Sequence, residues 1–386
     1  MSAFVFNTTA SIIVRPGAAA ELASLAGRRL GPTVLFVTDP GLTKLGLTAP
    51  ALTGLRAAGI TVSVFDAVEA DPSRATLEKA VAAGRAAGVS GVIGFGGGSS
   101  LDVAKLAALL IGSGEPLDEA WGVGLAKGPR LPLVLVPTTA GTGSEVTPVS
   151  IITVGEEEKR GVSSPVILPD IAVLDAELTL GLPPAITAAT GIDAMVHAIE
   201  AYASKSANNN PLSKMLAREA LRLLGANIHE AVRNGTNLEA RSAMLLGSML
   251  AGQAFANSPV AAVHALAYPI GGSFHVPHGL SNALVLAPVL RFNAPAAAPL
   301  YAEIAADAFP HLSEVAGEGQ RCHAFIEALA GLSRDLGMPT RLREVGIGEA
   351  DLAKMAADAM KQQRLLVNNP REVSEADALA IYRAAW

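Results

Sequence analysis

The stretch GVIGFGGGSSLDVAK (residues 91–105) decides the fold, because it combines an apolar strand, a run of glycines and the start of a helix. The three consecutive glycines at 96–98 allow the backbone to approach a ligand closely. The free N–H groups of the helix that follows favour an anion, and a phosphate suits this turn best. The stretch therefore predicts a phosphate site in an α/β sheet, and a plain strand–helix turn is the alternative.

Five further strand patterns in the first 180 residues share this apolar, β-branched composition. They are SIIVR (11–15), TVLFVTD (33–39), TVSVFD (61–66), LVLVP (133–137) and IAVLD (171–175). Helical patterns, such as residues 74–88 and 99–112, lie between them. Because strands and helices alternate and the strands are almost continuously apolar, we predict a Rossmann-like parallel sheet covered on both faces.

The pattern changes at GLPP (181–184), after which no convincing strand pattern occurs. Long alanine- and leucine-rich helical patterns follow, over residues 210–234, 238–257, 323–337 and 374–385. The last of these begins with Ser374 and Asp377 in a capping-box arrangement. We therefore predict an α/β domain over residues 1–182 and an all-α domain over residues 183–386.

Size, charge and cysteine content narrow the class of protein. A chain of 386 residues is too long for one core, and its net charge of −6 gives no reason to expect nucleic acid or a membrane surface as partner. The single cysteine, Cys322, excludes an intrachain disulfide and fits a reducing compartment. The N-terminus has no signal-peptide pattern and polar residues interrupt the apolar region 243–272, so we expect a cytoplasmic protein without a membrane span.

Two more polar loops follow predicted strands of the sheet. Asp39 ends the strand 33–39, and the carboxyl ends of strands line the crevice of an open parallel sheet. A carboxylate there accepts hydrogen bonds from the adenosine ribose and repels a 2′-phosphate, which favours NAD over NADP; turn chemistry at residues 39–41 is the alternative. The loop PTTAGTGSEVTP (137–148) offers hydroxyls and glycines to a second phosphate or to the nicotinamide ribose.

The stretch DAMVHAIEAY (193–202) places Asp193 and His197 four residues apart on one face of an apolar helix. Three of the seven histidines, His264, His275 and His278, then fall within 15 residues of one another. A buried Asp–His hydrogen bond would explain the first pair alone. Asp193 and His197 together with His264 and His278 offer one oxygen and three nitrogens, a set that suits Fe(II) or Zn(II).

Four motifs, in this order along the chain, resemble those of the iron-containing (group III) alcohol dehydrogenases. They are GGGSSLDVAK (96–105), PTTAGTGSEVTP (137–148), GIDAMVHAIEAY (191–202) and HALAYPIGGSFHVPHGLSNALVL (264–286). The resemblance covers nearly the full length of the chain. It implies the fold shared with dehydroquinate synthase, with an N-terminal dinucleotide-binding domain, a C-terminal helical domain and a cleft between them.

The resemblance also implies roles for individual residues. The metal ligands it implies are Asp193, His197, His264 and His278. The residues it implies at the cofactor are Asp39, Gly96, Gly97, Gly98, Ser99, Asp102, Thr138, Thr139, Thr142 and Ser144. Members of this family are commonly dimers or larger assemblies, so we expect a homodimer or larger homo-oligomer.

The chain departs from the family pattern four residues after His264. Many members carry a histidine there that is thought to relay a proton, but this chain has Tyr268. We predict that Tyr268 or His275 takes the catalytic relay role. Arg364, in KQQRLLVNNP, is a further candidate for the cleft, and a surface position is the alternative.

The predicted activity is that of a metal-dependent, NAD-linked alcohol dehydrogenase acting on a small alcohol, aldehyde or ketone. The metal, Fe(II) or else Zn(II), would act as a Lewis acid on the alcohol oxygen while nicotinamide takes the hydride. A maleylacetate reductase or polyol dehydrogenase is the alternative on this fold, and a dehydroquinate synthase-like lyase is a further one. The lyase needs a Lys- and Arg-lined pocket for a sugar phosphate, and no such cluster surrounds the metal motifs.

Overall fold

The computed structural model describes residues 3–155 and 158–386, which divide into two compact units. One unit is an α/β unit formed by residues 7–139 and 143–180. The other is a helical unit formed by residues 181–386 together with residues 140–142 and the described residues up to Phe6. The change from α/β to helical architecture therefore lies at residues 180–181.

The described part of the α/β unit contains nine strands in two sheets. They are β1 (Ser11–Val14), β2 (Thr33–Val37), β3 (Thr61–Phe65), β4 (Gly91–Gly96), β5 (Gly122–Val123), β6 (Leu133–Pro137), β7 (Val149–Val154), β8 (Glu158–Ser163) and β9 (Ile171–Leu174). A six-stranded sheet has the order β1-β9-β6-β4-β2-β3, and all its pairings are parallel. Its members are the six predicted strands, so the predicted Rossmann-like sheet is confirmed.

A second, three-stranded sheet in the order β5-β8-β7 was not predicted. Within it, β7 and β8 pair antiparallel, and β5 adds a pairing of only two residues. The sequence gives little sign of this sheet because β8, EKRGVS, carries three charged residues and β5 is very short. The sheet is therefore an addition to the parallel core.

Among the residues described, six α-helices belong to the α/β unit: α1 (Leu22–Leu30), α2 (Pro40–Lys44), α3 (Ala49–Ala57), α4 (Arg74–Ala86), α5 (Gly98–Ser113) and α6 (Leu117–Ala120). Two apolar clusters cover the two faces of the large sheet, one around Leu35 and Leu106 and the other around Phe36 and Phe95. Every residue of β4 and β6 is buried, which is why these strands lack the alternation of a half-exposed sheet.

The parallel register aligns the ends of three strands. Val37 at the end of β2 pairs with Gly94 of β4, while Gly96 at the end of β4 pairs with Pro137 at the end of β6. The loops that follow β2, β4 and β6 consequently leave the same edge of the sheet. In open parallel sheets this carboxyl edge is where ligands bind.

In its described residues the helical unit contains nine α-helices. They are α7 (Pro184–Ala203), α8 (Pro211–Arg233), α9 (Leu238–Asn257), α10 (Ala262–Phe274), α11 (His278–Ala308), α12 (Glu318–Asp335), α13 (Leu352–Ala359), α14 (Gln363–Leu366) and α15 (Glu375–Ala385). From residue 183 onward the described chain has no strand, as predicted. Ser374 and Asp377 form the predicted capping box of α15.

Helix α7 is the central helix of this unit. It packs against α8, α9 and α11, and buried residues occupy every face of its second half. Gly191 allows this packing, because a Cβ there would lie 2.8 Å from the Met244 side chain and 2.9 Å from that of Ile228. A polar side chain on α7 is therefore held in the interior of the helical unit.

Helix α11 alone among the described helices is long and apolar enough to cross a bilayer by length and composition. It packs against α7, α8, α10 and α12 within the helical unit. An interior helix of a soluble protein has the same apolar character. We accordingly describe α11 as a core helix of the helical unit.

Candidate functional site

Three of the four predicted metal-binding side chains converge in the helical unit. Asp193 lies on α7, His264 lies on α10, and His278 is the first residue of α11. Their ligand atoms all lie within 4.8 Å of one another. The Nε2 atoms of His264 and His278 are 3.9 Å and 3.7 Å from Oδ1 of Asp193. One carboxylate oxygen and two imidazole nitrogens thus face a common point.

The fourth predicted ligand, His197, lies beside this group and is not one of the three. Its ring stacks on that of His264 with 4.7 Å between centroids, and its Nδ1 lies 3.2 Å from the Gly141 carbonyl oxygen. Because a carbonyl oxygen only accepts, Nδ1 carries the proton and Nε2 keeps its lone pair. Burial lowers the pKa of His197 to about 3, so the ring is neutral, as a metal ligand must be.

Glu200 is a site residue that the sequence analysis missed. Its Oε2 lies 2.6 Å from Nδ1 of His264, and its Oε1 accepts a hydrogen bond from the Val263 N–H at 2.7 Å. A carboxylate beside Nδ1 keeps the proton on that nitrogen and leaves Nε2 free to bind a cation. The available signal was spacing, since Glu200 follows His197 by three residues on the same apolar helix.

Asn282 is a second neighbour of these side chains that was not predicted. Its Nδ2 donates to Oδ1 of Asp193 at 2.6 Å and lies 3.3 Å from the Nε2 atoms of His264 and of His278. Its own Oδ1 is buried without a hydrogen-bond partner. The three ligand atoms thus converge on the electropositive end of an amide, which is the arrangement expected of a donor set suited to a cation.

The ionisation state of Asp193 fits a donor set that binds a cation. Burial opposes its ionisation, but the neighbouring histidines and the Asn282 amide outweigh burial, and the pKa of Asp193 lies below its usual value. The carboxylate is therefore ionised at neutral pH in an interior position. A buried carboxylate among imidazoles is a set that a divalent cation would stabilise.

The glycine turn of the α/β unit has the backbone that a phosphate site needs. Gly96 has φ of +153°, and a Cβ there would lie 2.7 Å from the Ser100 hydroxyl, so only glycine fits. At Gly97 a Cβ would make only ordinary van der Waals contact, with Thr139 at 3.6 Å. Gly97 is also the N-cap of α5 and supplies no side-chain cap. The first-turn N–H groups of α5 are therefore left for a ligand.

Asp39, Thr138 and Thr142, which were also predicted to contact the cofactor, lie in different surroundings. Asp39 caps α2, since its Oδ1 accepts from the Leu42 N–H at 3.0 Å. The backbone N–H of Thr138 donates to the Gly96 carbonyl at 3.0 Å, which ties the loop after β6 to the glycine turn. Thr142 belongs to residues 140–142 of the helical unit. The predicted contacts of these residues with a cofactor stay predictions.

Asp102 and Ser144 lie in a buried network. Asp102 accepts from the Ser144 hydroxyl at 2.7 Å and from the Ile151 N–H at 2.8 Å, which engages both carboxylate oxygens. The ammonium of Lys105, which is fully buried, donates to the Ser144 hydroxyl at 2.7 Å. These bonds hold the loop after β6 against α5, and direct contact of Asp102 or Ser144 with a cofactor stays a prediction.

We refer to Asp193, His264 and His278 together as the proposed metal-binding group. The two predicted relay residues have different surroundings. The Tyr268 ring lies 6.3 Å from the His278 ring, and the Tyr268 hydroxyl accepts a hydrogen bond from Arg364 at 3.1 Å. His275 is the exposed C-cap of α10, with φ of +54° in the left-handed region. The structure thus brings Tyr268 next to a predicted ligand, and the relay role stays a prediction for both residues.

Comparison with known proteins follows the same division of the chain. The family model described as "Iron-containing alcohol dehydrogenase" matches residues 9–176. The model described as "Fe-containing alcohol dehydrogenase family, C-terminal" matches residues 187–386. Long-chain-alcohol dehydrogenase 1 of Geobacillus thermodenitrificans is 43% identical over 363 residues, covering 93% of this chain and 91% of that protein.

Two solved structures extend the comparison over whole chains. The structure of a 1,3-propanediol oxidoreductase matches with a TM-score of 0.95 and 36% identity, covering 100% of both chains. The structure of a sulfoacetaldehyde reductase from Bifidobacterium kashiwanohense in complex with NAD+ matches with a TM-score of 0.87 and 28% identity. It covers 100% of this chain and 99% of that chain. The likeness therefore includes both units.

Proposed function

The chain belongs to the iron-containing alcohol dehydrogenase family, and we propose that Asp193, His197, His264 and His278 hold its divalent metal. The enzyme is an oxidoreductase that interconverts alcohols with aldehydes or ketones, as its relatives do by name. The observation that carries the metal assignment is the convergence of three buried or half-buried ligand atoms within 4.8 Å. His197 completes the set through the lone pair on its Nε2.

We assign Fe(II) as the native metal, with Zn(II) as the alternative. One carboxylate oxygen and three imidazole nitrogens suit either ion, and the family description favours iron. When bound, the metal supplies Lewis acidity that stabilises negative charge on the substrate oxygen. The chain's own part is to hold His197 neutral, to orient the imidazoles and to keep Asp193 ionised.

Proton transfer falls to Tyr268 or His275. The Tyr268 hydroxyl can both donate and accept a proton, and its ring lies near that of His278. The exposed ring of His275 can exchange protons with water. We favour Tyr268 because it borders the metal-binding group.

We assign NAD as the cofactor, held at its pyrophosphate by the glycine turn at 96–98 and Ser99. The uncapped first turn of α5 supports this, because its N–H groups favour phosphate oxygens. The NAD+ complex of the Bifidobacterium relative adds support. Asp39 would discriminate against NADP through its charge, and Asp102, Thr138, Thr139, Thr142 and Ser144 would complete the cofactor site.

The variant Asp39→Asn tests this discrimination. Asparagine caps a helix as well as aspartate does, so the bond to the Leu42 N–H is kept while the charge is lost. We expect the ratio of kcat/KM for NADPH to that for NADH to rise roughly tenfold, since about 1.4 kcal/mol of repulsion disappears. Steady-state kinetics with both cofactors measures the ratio, with Asp175→Asn as control. An unchanged ratio would remove Asp39 from the cofactor site.

The physiological substrate is proposed to be a small alcohol or aldehyde. Relatives differ in their named substrates, which range from long-chain alcohols to 1,3-propanediol and sulfoacetaldehyde. We also propose a cytoplasmic location and a homodimer or larger homo-oligomer, in keeping with a chain of mild negative charge and a single cysteine.

The direct test is turnover on metal-defined protein. Purified enzyme is stripped with a chelator, then reloaded without oxygen with Fe(II) or Zn(II), and NADH consumption is followed with a panel of aldehydes. We expect the stripped enzyme to lose roughly a hundredfold or more in rate, because Lewis-acid stabilisation is worth several kcal/mol. Full turnover without metal, or no net NADH consumption with any aldehyde, would overturn the proposal.

A further inference from the structure

We propose that Arg364 forms an anion subsite next to Tyr268, and that the physiological substrate is a short aldehyde or alcohol ending in a sulfonate or carboxylate. The inference rests on the proposed reaction at the metal-binding group and names its substrate class. It makes Arg364 a specificity-determining residue that contacts the end of the substrate remote from the reacting carbon.

The position of Tyr268 connects Arg364 to the metal-binding group. His264 and Tyr268 lie one helical turn apart on α10, so their side chains share a face of that helix. The Tyr268 ring lies 6.3 Å from the His278 ring. Tyr268 is therefore the immediate neighbour of two predicted ligands.

Arg364 reaches the hydroxyl end of Tyr268 from α14. Its Nη2 donates to the Tyr268 hydroxyl at 3.1 Å, and its guanidinium carbon is 6.0 Å from the centre of the ring. A guanidinium has five N–H donors, and this bond uses one of them. The side chain is exposed, so the remaining donors are accessible to a ligand.

The charge of Arg364 is uncompensated. Among the described residues no carboxylate forms an ion pair with it. Other arginines of the helical unit are neutralised, as when Arg291 binds Glu327 at 2.7 Å and Arg222 binds Asp307 at 2.7 Å. The carboxylates of the metal-binding group, Asp193 and Glu200, are buried and engaged with histidines. Arg364 is thus a cation available to an anionic ligand.

The chemistry and the spacing together define the ligand class. Guanidinium groups bind carboxylates and similar oxyanions through parallel N–H donors, a geometry that lysine does not reproduce. The ring centres of His278 and Tyr268 are 6.3 Å apart, and the guanidinium carbon of Arg364 lies 6.0 Å from the Tyr268 ring centre. A substrate with its carbonyl at the metal-binding group and its anion at Arg364 must therefore be short.

Paired substrates and arginine variants test the subsite. Wild type, Arg364→Met and Arg364→Lys are compared on sulfoacetaldehyde against propanal, and on 4-oxobutanoate against butanal. We expect wild type to favour the anionic member of each pair. The anionic-to-neutral ratio of kcat/KM should fall at least about tenfold in Arg364→Met, since a charged hydrogen bond is lost, and less in Arg364→Lys.

Arg343→Met is the matched control, because Arg343 also lies over an aromatic ring of the helical unit, that of Trp386, at 5.8 Å. Its substrate ratio should equal that of wild type. Calorimetry with unreactive propane-1-sulfonate gives a readout independent of turnover, and Arg364→Met should bind it at least about tenfold more weakly. An unchanged ratio and unchanged sulfonate binding in Arg364→Met would overturn the subsite. Failure of wild type to reduce any aldehyde would overturn the proposed function instead, and sulfonate binding would still decide the subsite.

Discussion

The variant His264→Ala should lose its divalent metal and about three orders of magnitude in kcat, since several kcal/mol of Lewis-acid stabilisation disappears with the metal. The imidazole of His264 is the central one of the group, stacked on His197 at 4.7 Å and 5.4 Å from the ring of His278. Removing it deletes a ligand and leaves the buried Glu200 carboxylate without its histidine partner. Metal content by elemental analysis and turnover with an aldehyde measure the two losses.

Two further variants make this result interpretable. His323→Ala, in the exposed part of α12, removes a histidine outside the group and should keep its metal.

Asp193→Asn keeps the shape of the buried carboxylate and removes its charge, so it tests the site if His264→Ala does not fold. Added metal should raise the Tm of wild type by binding the native state, and should do so far less for Asp193→Asn. Full metal content and turnover in His264→Ala would refute the ligand assignment.

Glu200→Gln should weaken metal affinity between 10- and about 100-fold, the range expected when a carboxylate behind a ligating histidine is removed. Both Glu200 oxygens accept hydrogen bonds, one from the Val263 N–H and one from Nδ1 of His264. A glutamine has a single acceptor oxygen. If that oxygen stays on Val263, the amide NH₂ faces Nδ1 and favours the tautomer with the proton on Nε2, which cannot bind a cation.

Competition with a chelator of known affinity measures the metal affinity of this variant directly. The control is Glu303→Gln, since Glu303 accepts a hydrogen bond from Tyr202 in the same helical unit and lies outside the group. Its metal affinity should match that of wild type. Equal affinity in Glu200→Gln and wild type would show that Glu200 supports packing and does not orient His264.

The parallel sheet was predictable because its strands are apolar and regularly spaced. Each of β2, β4 and β6 is buried almost throughout, so the sequence shows short β-branched runs bounded by turn residues. The antiparallel pair β7 and β8 was missed because β8 is polar and partly exposed, and its pairing depends on neighbours that local pattern does not reveal.

The residues proposed to hold the metal could be singled out from residue type and spacing, but the contacts that support them could not. Asp193 and His197 share a helix face by spacing alone. In contrast, Glu200 meets His264 across 64 residues of chain and Asn282 meets Asp193 across 89. Such contacts are set by how α7 packs against α10 and α11, and periodicity in one sequence carries no information about that packing.

The side chains of the proposed metal-binding group differ in exposure, which predicts the order in which they would meet an incoming ion. The side chains of Asp193 and His264 are 3% and 4% exposed, whereas that of His278 is 37% exposed. An incoming ion would therefore meet His278 first and reach the interior carboxylate last. If these residues hold the metal as proposed, we expect the start of α11 to govern how fast the apoenzyme binds or loses its ion, and α7 to govern how tightly the ion is held.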